Sequence, residues 1–203
     1  STTGNPVRQA IVEVAPPAQR YAGRSGAFQI LVIGGSLGAQ ALNQHIPAAL
    51  ALLNQPIQVK HQCGQTQLEQ TQQAYVEAQQ ANPRLVSEVV PFVQDMAAAY
   101  AQADLIICRA GALTVTEVAS VGIPAIFIPL PSAVDDHQTV NAGYLVEAGA
   151  AVLCPQASLT ADSLAATLTG LLDRAILLNM AEKSRAKAQP TATASVVAAI
   201  LSV

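Results

Sequence analysis

The run Asp104-Leu-Ile-Ile-Cys-Arg-Ala-Gly-Ala-Leu-Thr-Val-Thr-Glu117 changes its hydrophobic period near its midpoint. Its first part, from Leu105 to Cys108, is continuously apolar and predicts a buried β-strand. The chain then breaks at Arg109-Ala-Gly111, and apolar residues return with helical spacing at positions 113, 115, 118 and 119. The run therefore predicts a strand, a tight turn and a helix in direct succession.

The junction between this strand and this helix has the character of a ligand site. In open α/β sheets ligands lie where strand C-termini meet helix N-termini, and the free N–H groups of a helix start attract anions. Arg109 directly precedes the predicted helix, and Glu117 lies in its first turns. A cation suits a phosphate, and a carboxylate suits the vicinal hydroxyls of a sugar. The working hypothesis from these residues is a nucleotide-sugar site.

The rest of the chain alternates predicted strands with predicted helices. The strands cover about residues 28–33, 57–62, 85–90, 105–108, 125–129 and 149–153. The helices cover about residues 40–53, 67–81, 94–103, 112–121, 139–148 and 159–172, and Thr160 is a suitable N-cap for the last of them. About six strands that alternate with helices predict an α/β fold with a doubly wound parallel sheet.

Two further segments flank this alternating pattern. Residues 1–26 are rich in glycine and proline and show little periodicity, which predicts a linker. From residue 175 the chain is helical in character, with an interruption at Pro190. We therefore expect a linker at 1–26, a ligand-binding domain at 27–175 and a helical tail at 176–203.

Composition argues against several functional classes. The chain has 203 residues, a net charge of −3 and no lysine or arginine cluster, so no nucleic-acid surface is expected. Its three cysteines are scattered without a C-x-x-C pair, so neither a metal centre nor a disulfide framework is indicated. No apolar run reaches the roughly 18–20 residues of a membrane helix, and no signal-peptide pattern precedes the fold. Tight membrane anchoring is not expected, and peripheral contact stays open.

Four turns follow predicted strands, at residues 34–38, 91–94, 109–114 and 130–138. In a parallel sheet all four lie at one edge and can share one ligand. In the first, glycines allow close backbone approach and Ser36 can cap the helix or bond an anion, although the pattern is neither G-x-G-x-x-G nor a P-loop. In the second, Phe92 and Val93 offer an apolar side chain and backbone groups to a planar base. The alternative for the first turn is an ordinary strand-to-helix turn, and the alternative for the second is a phenylalanine in the core.

The carboxylates near these turns also have two interpretations each. Glu117 shares a helix face with Thr114 and is stabilised by the helix dipole, so it suits a ribose diol; the alternative is a helix-start acid without a ligand. The fourth turn contains Asp135-Asp-His-Gln138. Two acids and a histidine suggest a metal, but adjacent residues rarely all point at one ion, and contacts from Gln138 to sugar hydroxyls fit better. His137 could act as a base on composition alone, but no motif in the sequence supports that role.

Four motifs in their order along the chain resemble one known family. They are Gly34-Gly-Ser-Leu-Gly-Ala39, Pro91-Phe-Val-Gln-Asp-Met96, Cys108-Arg-Ala-Gly-Ala-Leu-Thr-Val-Thr-Glu117 and Asp135-Asp-His-Gln-Thr-Val-Asn-Ala142. Together they resemble the C-terminal half of the MurG family of peptidoglycan N-acetylglucosaminyltransferases, and Thr3-Gly-Asn-Pro-Val-Arg8 resembles the start of that family's interdomain linker. The resemblance covers about residues 2–172. It implies a Rossmann-like domain, the C-terminal half of a two-domain GT-B glycosyltransferase.

The resemblance also implies roles for single residues. It implies that Arg8 and Ser36 contact the donor diphosphate, and that the helix start at Ala112, Leu113 and Thr114 contacts phosphate. The backbone of Phe92 and Val93 would contact uracil, and Glu117 would contact the ribose hydroxyls. His137 and Gln138 would contact the N-acetylglucosamine hydroxyls. The family commonly has glutamine where this chain has His137 and serine where it has Ala110. Arg109 keeps two interpretations, a substrate contact or a residue that steadies the turn.

The activity implied by the resemblance is that of an inverting glycosyltransferase. Its donor is UDP-N-acetylglucosamine, its acceptor is the MurNAc 4-hydroxyl of lipid I, its product is lipid II, and no obligatory metal is expected. The family's N-terminal domain, which binds the acceptor and carries the proposed catalytic base, is not in this chain. We therefore expect the chain to bind the donor without turnover, whether it is a fragment or one half of a split enzyme. Apolar surface that would face the other domain would then allow self-association.

The resemblance further implies a cytoplasmic location, with the intact enzyme peripheral on the inner face of the plasma membrane. Two alternatives stay open at this point. One is the equivalent domain of a UDP-galactose:diacylglycerol-type glycolipid transferase, which would change the sugar and the acceptor. The other is a non-catalytic interaction module that has kept the fold.

Overall fold

The computed structural model describes residues 5–35, 39–131 and 136–189, which form six strands, nine α-helices and two short 3-10 helices. The strands are β1 Phe28–Ile33, β2 Ile57–Gln62, β3 Leu85–Val90, β4 Leu105–Cys108, β5 Ala125–Phe127 and β6 Ala151–Leu153. The helices are α1 Gln9–Val12, α2 Pro17–Tyr21, α3 Gln40–Ala51, α4 Leu68–Ala81, α5 Met96–Gln102, α6 Ala112–Val121, α7 His137–Val146, α8 Ala161–Leu171 and α9 Arg174–Ala186.

The six strands form one parallel sheet in the order β3-β2-β1-β4-β5-β6. Ile30 of β1 pairs with Val59 of β2 on one side and with Leu105 of β4 on the other. The chain therefore moves outward from β1 to β3, returns to the centre and moves outward again from β4 to β6. This confirms the predicted doubly wound, Rossmann-like α/β fold, and it places the reversal of strand order between β1 and β4.

Alternate residues of the central strands pack into two separate layers of the core. Ile30 and Val32 belong to the layer that contains residues of α3 and α8, whereas Leu31 belongs to the layer that contains residues of α5, α6 and α7. Successive side chains of a strand point to opposite faces of the sheet, so a strand covered on both faces must be apolar throughout. This is why β1 and β4 are continuous apolar runs in the sequence.

The N-terminal segment contains two short helices, although its composition predicts a linker. Ile11 of α1 and Tyr21 of α2 are buried in the core. Pro17 is the first residue of α2, where the backbone N–H has no acceptor within the helix and its absence removes no hydrogen bond. A proline that the sequence predicts to be a helix breaker therefore marks the start of a helix. The role of residues 1–26 as an interdomain linker stays a prediction.

Several helix and strand ends also differ from the sequence prediction. Strand β5 ends at Phe127 instead of residue 129, and α7 begins at His137 instead of residue 139. The earlier start of α7 places His137 and Gln138 in the first turn of a helix rather than in a loop. Asp136 precedes this helix with a φ of 51°, and its Oδ1 accepts a hydrogen bond from the Thr139 hydroxyl at 2.7 Å.

Helices α8 and α9 complete the described chain. Thr160 caps α8 as predicted, because its hydroxyl accepts from the Ser163 N–H at 3.0 Å and the Ser163 hydroxyl accepts from the Thr160 N–H at 2.9 Å. No single helix within the described ranges is long and apolar enough to cross a membrane. The pair α8 and α9 would suffice in length and composition, but the two are bent by 90° at their junction.

A buried ion cluster braces the sheet edge opposite the predicted site. The side chain of Asp104, just before β4, is fully buried, with Oδ1 2.5 Å from Nη1 of Arg24 and Oδ2 2.5 Å from Nη1 of Arg174. Its Oδ2 also accepts a hydrogen bond from the Gln29 N–H at 2.8 Å. The cluster ties together the loop before β1, the start of β4 and the start of α9.

Candidate functional site

The candidate site lies beyond the carboxyl ends of β1 and β4, where the strand order reverses. Two amide side chains hold the turns that follow these strands. Gln62 donates to the carbonyl of Gly35 at 3.1 Å, and Asn141 donates to the carbonyl of Ala110 at 3.1 Å. Gly35 has a φ of 86°, a conformation that glycine adopts without strain. The carbonyls of Gly35 and Ala110, which lie just after β1 and β4, are thus both held by side chains at the crevice where doubly wound sheets bind ligands.

The start of α6 directly follows the turn after β4, at this edge of the sheet. The N-cap is Gly111, which has no side chain to accept a hydrogen bond from the first turn. Ala112 and Leu113 are exposed, with Leu113 63% accessible, and Thr114 is half-buried. An open helix N-terminus with free donors and a positive dipole end is suited to a phosphate.

Glu117 lies one turn further along α6 and is contacted from two sides. Its Oε1 accepts a hydrogen bond from Nη2 of Arg8 at 3.1 Å, and its Oε2 accepts from the hydroxyl of Tyr100 at 3.0 Å. The structure thus brings together Arg8 and Glu117, two predicted site residues that are distant in the sequence. It adds Tyr100, which the sequence did not single out, because an aromatic residue in a short apolar helix reads as ordinary core.

Tyr100 is a stable hydrogen-bond donor in this position. Burial raises the pKa of its phenol well above the usual range, and the neighbouring negative charge of Glu117 raises it further. The hydroxyl therefore stays protonated near neutral pH, and it donates its proton to the Glu117 carboxylate.

The loop after β3 approaches the same side of α6. Val93 is buried in one core cluster with Tyr100 and with Val115 and Val118 of α6. Phe92, directly before it, is 63% exposed, so the alternative of a core phenylalanine is wrong. The loop with the exposed ring thus packs against the helix that carries Glu117, and its role in binding a base stays a prediction.

Arg109, which follows β4, forms hydrogen bonds to the segment that follows β5. Its Nη1 donates to the carbonyl oxygens of Ile128 at 2.9 Å and Pro129 at 3.0 Å, which follow β5. Burial lowers the pKa of its guanidinium. Of the two interpretations that the sequence left open, these contacts favour the residue that steadies the turn.

A polar cavity of about 570 Å³ extends from the crevice toward α3. It is lined by residues that follow β1, β4, β5 and β6, by the first two turns of α3 and by the start of α7, namely Gly34, Ala39, Gln40, Ala41, Gln44, His45, Arg109, Leu130, Gln138 and Gln156. The Gln138 Oε1 accepts from the Leu130 N–H at 3.0 Å. Gln138 and Arg109 are thus brought together, while the exposed His137 begins α7 beside them. Ser36 and Asp135 lie outside the described residues.

The described part of the chain contains no group of three or more histidine, cysteine, aspartate or glutamate side chains that could hold a metal ion. Asp136, which the sequence offered as one ligand, is engaged by Thr139. The arrangement instead combines an open helix N-terminus, a fixed carboxylate and a polar cavity at one sheet edge. These features suit a phosphate, a diol and a hydroxyl-rich group, respectively.

A buried polar cluster joins β2 to α3 and α4 next to the candidate site. His61 near the carboxyl end of β2 has its Nδ1 2.9 Å from the hydroxyl of Tyr75 and its Nε2 3.0 Å from Oδ1 of Asn43. The Asn43 amide donates to the carbonyl of Cys63 at 3.0 Å. Burial lowers the pKa of His61 to about 3, so the ring is neutral; it donates from Nε2 to Asn43 and accepts at Nδ1 from Tyr75.

Both the sequence and the fold match known glycosyltransferases. The family model described as the glycosyltransferase family 28 C-terminal domain matches residues 29–196. The UDP-N-acetylglucosamine--N-acetylmuramyl-(pentapeptide) pyrophosphoryl-undecaprenol N-acetylglucosamine transferase of Acinetobacter baylyi is 55% identical over 199 residues, which are 97% of this chain and 54% of that protein. The protein of the same name from Marinobacter nauticus is 52% identical over 198 residues, 96% of this chain and 53% of that protein.

The solved structure of Acinetobacter baumannii MurG has the same fold, with a TM-score of 0.91 at 46% sequence identity. The match covers 98% of this chain and 58% of that chain. The chain therefore spans about half the length of the curated relatives it matches.

Proposed function

This chain belongs to the glycosyltransferase family 28 C-terminal domain family, and we propose on that basis that it is the donor-binding half of an inverting glycosyltransferase. The donor is UDP-N-acetylglucosamine, and the whole enzyme transfers the sugar to the MurNAc 4-hydroxyl of lipid I to give lipid II for peptidoglycan. The relatives that carry this activity in their names are more than half identical to the chain, which supports the choice of donor and acceptor.

The observation that carries the proposal is the position of Glu117 relative to the start of α6. Glu117 follows Ala112, the first residue of α6, by five residues, which is about 7.5 Å of helical rise. A ribose and its 5′-phosphate are neighbouring parts of one nucleotide, so both can be bound at once: the phosphate by the N–H groups near Thr114, and the 2′- and 3′-hydroxyls by Glu117.

The remaining parts of the donor are assigned by the same logic. The exposed ring of Phe92 and the backbone at Val93 offer an apolar surface and polar groups to the uracil. Arg8, whose side chain is 63% exposed, supplies a cation to the diphosphate together with Ser36. The polar cavity beside Gln138 takes the N-acetylglucosamine, and His137 stands where the family commonly has glutamine.

In the proposed reaction the acceptor hydroxyl attacks C1 of the sugar in line, and UDP leaves. This chain contributes stabilisation of the leaving diphosphate by helix N–H groups and by Arg8, since preorganised donors aimed at developing charge lower the barrier. It also holds the donor by its ribose, which orients C1 toward the acceptor. The catalytic base belongs to the other domain, so the chain alone binds the donor without turning it over.

Exposed apolar side chains at the same edge support a second domain opposite the crevice. Phe92 and Leu113 are each 63% exposed and Leu130 is 39% exposed, and all three follow strand ends at this edge. We propose that these side chains form one apolar patch, the kind of surface that marks an interaction site. We propose that the acceptor-binding domain faces it, that the whole enzyme lies on the inner face of the plasma membrane where its lipid acceptor is, and that the isolated chain self-associates through this edge.

Calorimetry with UDP and UDP-N-acetylglucosamine tests the proposal. We expect the chain to bind both and Glu117→Ala to cost about 1–3 kcal/mol of binding free energy, as for lost hydrogen bonds to a charged group. Glu147→Ala, at the exposed far end of α7, is the matched control and should bind like wild type.

Each other outcome has a defined meaning. A preference for UDP-galactose would favour the glycolipid-transferase alternative. Absence of UDP binding by the wild-type chain would favour a non-catalytic module. Robust transfer of N-acetylglucosamine by this chain alone would contradict the assignment of the base to another domain.

A further inference from the structure

Both oxygens of the Glu117 carboxylate are occupied by the protein itself, one by a buried partner and one by an exposed partner. Building on the proposed function, we propose that Tyr100 is a positioning residue that fixes Glu117 for the ribose, and that Arg8 occupies the ribose-facing oxygen until the nucleotide displaces it. The donor thus binds by an exchange of partners at Glu117.

The Tyr100 side of the carboxylate is rigid. Tyr100 is 1% exposed, packs with Val93 and Val115, and places its hydroxyl 3.0 Å from Oε2 of Glu117. A carboxylate oxygen has two lone pairs, so Oε2 can accept from a ribose hydroxyl while Tyr100 keeps its own hydrogen bond. Without the phenol, the Glu117 side chain would lose the contact that selects its orientation.

The Arg8 side is exchangeable. The Arg8 side chain is 63% exposed, and exposed ion pairs contribute about 0–1 kcal/mol, so a ligand can displace it at little cost. Asn5, three residues earlier, donates to the Thr116 hydroxyl at 3.3 Å and keeps this segment beside α6. Arg8 therefore remains close to the crevice after its guanidinium leaves Glu117.

This exchange gives Arg8 opposite effects on two ligands. Uridine brings two hydroxyls to Glu117 and no negative charge, so Arg8 only competes with it. UDP brings the same hydroxyls and a diphosphate, so the displaced guanidinium gains a new anionic partner. A residue that acted only as a phosphate cation would leave uridine binding unchanged, and a residue that acted only in folding would weaken both ligands.

The Tyr100 part is tested with Tyr100→Phe, which removes only the hydroxyl. We expect UDP affinity to fall by roughly three- to tenfold, as for the loss of one hydrogen bond, and the affinity for 2′,3′-dideoxy-UDP to stay unchanged. Tyr21→Phe is the control, because its buried hydroxyl donates to the carbonyl of Asp104 at 2.6 Å, at the opposite end of β4. Equal losses for UDP and the dideoxy analogue, or an equal loss in Tyr21→Phe, would overturn the positioning role.

The Arg8 part is tested with Arg8→Ala, by titration of uridine followed by NMR and of UDP followed by calorimetry. We expect uridine affinity to rise by about two- to fivefold, the range that an exposed ion pair provides, while UDP affinity falls. A fall or no change in uridine affinity would overturn the exchange. If the wild-type chain binds UDP and Glu117→Ala binds it more weakly, these failures contradict the exchange alone and leave the donor site standing.

Discussion

Arg109 is held to Ile128 by a hydrogen bond of 2.9 Å from its Nη1 to the carbonyl oxygen that follows strand β5. The same nitrogen donates to the carbonyl of Pro129 at 3.0 Å. A guanidinium beside a helix N-terminus is a natural candidate for binding phosphate, yet here Nη1 is directed at backbone carbonyls that follow the neighbouring strand β5. The residue thus shapes one wall of the cavity that contains Gln138.

Removal of the Arg109 side chain should affect stability more than donor binding. We expect Arg109→Ala to lower the free energy of unfolding by about 1–2 kcal/mol, since two carbonyls lose a charged donor in a place that water can partly reach. UDP affinity should fall less than it does in Glu117→Ala. Urea denaturation and calorimetry on the same preparations give both numbers. A larger loss of affinity than in Glu117→Ala, with unchanged stability, would return Arg109 to the role of phosphate ligand.

Arg109 also shows what the sequence can and cannot predict. Hydrophobic period and turn residues place it correctly at the end of β4, because period and breakers determine strands and helices locally. The direction of a long side chain depends on neighbours from distant parts of the chain, here the end of β5. The same limit explains why Glu117 was predicted as a diol ligand while its partner Tyr100, on another helix, was not.

The N-terminal helices illustrate a second limit. Segments α1 and α2 have four and five residues, too short for a hydrophobic period to show. They are helical because Ile11 and Tyr21 are buried against the domain, and tertiary packing of this kind is not visible in local sequence. The sheet and its long helices were predictable from the sequence, whereas the segments stabilised only by contacts across the fold were not.

Asp104 is expected to be the most sensitive single position for stability. Its buried carboxylate pairs with Arg24 and Arg174, and removing one member of a buried ion cluster leaves the other charges uncompensated. We expect Asp104→Asn to lower the free energy of unfolding by about 3–5 kcal/mol. The measurement is the midpoint of guanidinium denaturation, with Asp162→Asn on the exposed first turn of α8 as the control. A midpoint equal to that of the control would show that the cluster contributes little.

Gly122 at the end of α6 should not tolerate a side chain. Its φ is 68°, and an added Cβ would lie 2.6 Å from Cβ of Arg185 and 2.8 Å from Cγ of Pro17. We expect Gly122→Ala to cost about 2–4 kcal/mol, from the left-handed backbone and from overpacking together. Gly23→Ala separates the two causes, because Gly23 has a φ of 71° with nothing within 4 Å of an added Cβ. Equal losses of thermal stability in the two variants would show that the packing of α6 against α2 and α9 adds nothing.

His61 should make the free energy of unfolding depend on pH below neutrality. Burial lowers its pKa from 6.5 to about 3, so between these values the unfolded chain binds a proton that the folded protein does not. The free energy of unfolding therefore falls as the pH falls through this window, by about 1.4 kcal/mol per pH unit at most, and the stabilisation is fully present above about pH 6.5. Other groups titrate in the same range, so the informative quantity is the difference in slope between variants.

The matched pair for this measurement is His61→Gln and His45→Gln. His45 is half-buried on α3, and its replacement keeps the His61 cluster intact. Urea denaturation at a series of pH values from 4.5 to 7 should give a shallower pH dependence for His61→Gln than for wild type or His45→Gln, whatever the absolute stability of each variant. If all three slopes were equal, the folded protein would have to accept a proton at His61. Protonation of Nδ1 would then break the hydrogen bond from the Tyr75 hydroxyl without an energetic cost. That outcome would contradict the effect of burial on the pKa of His61.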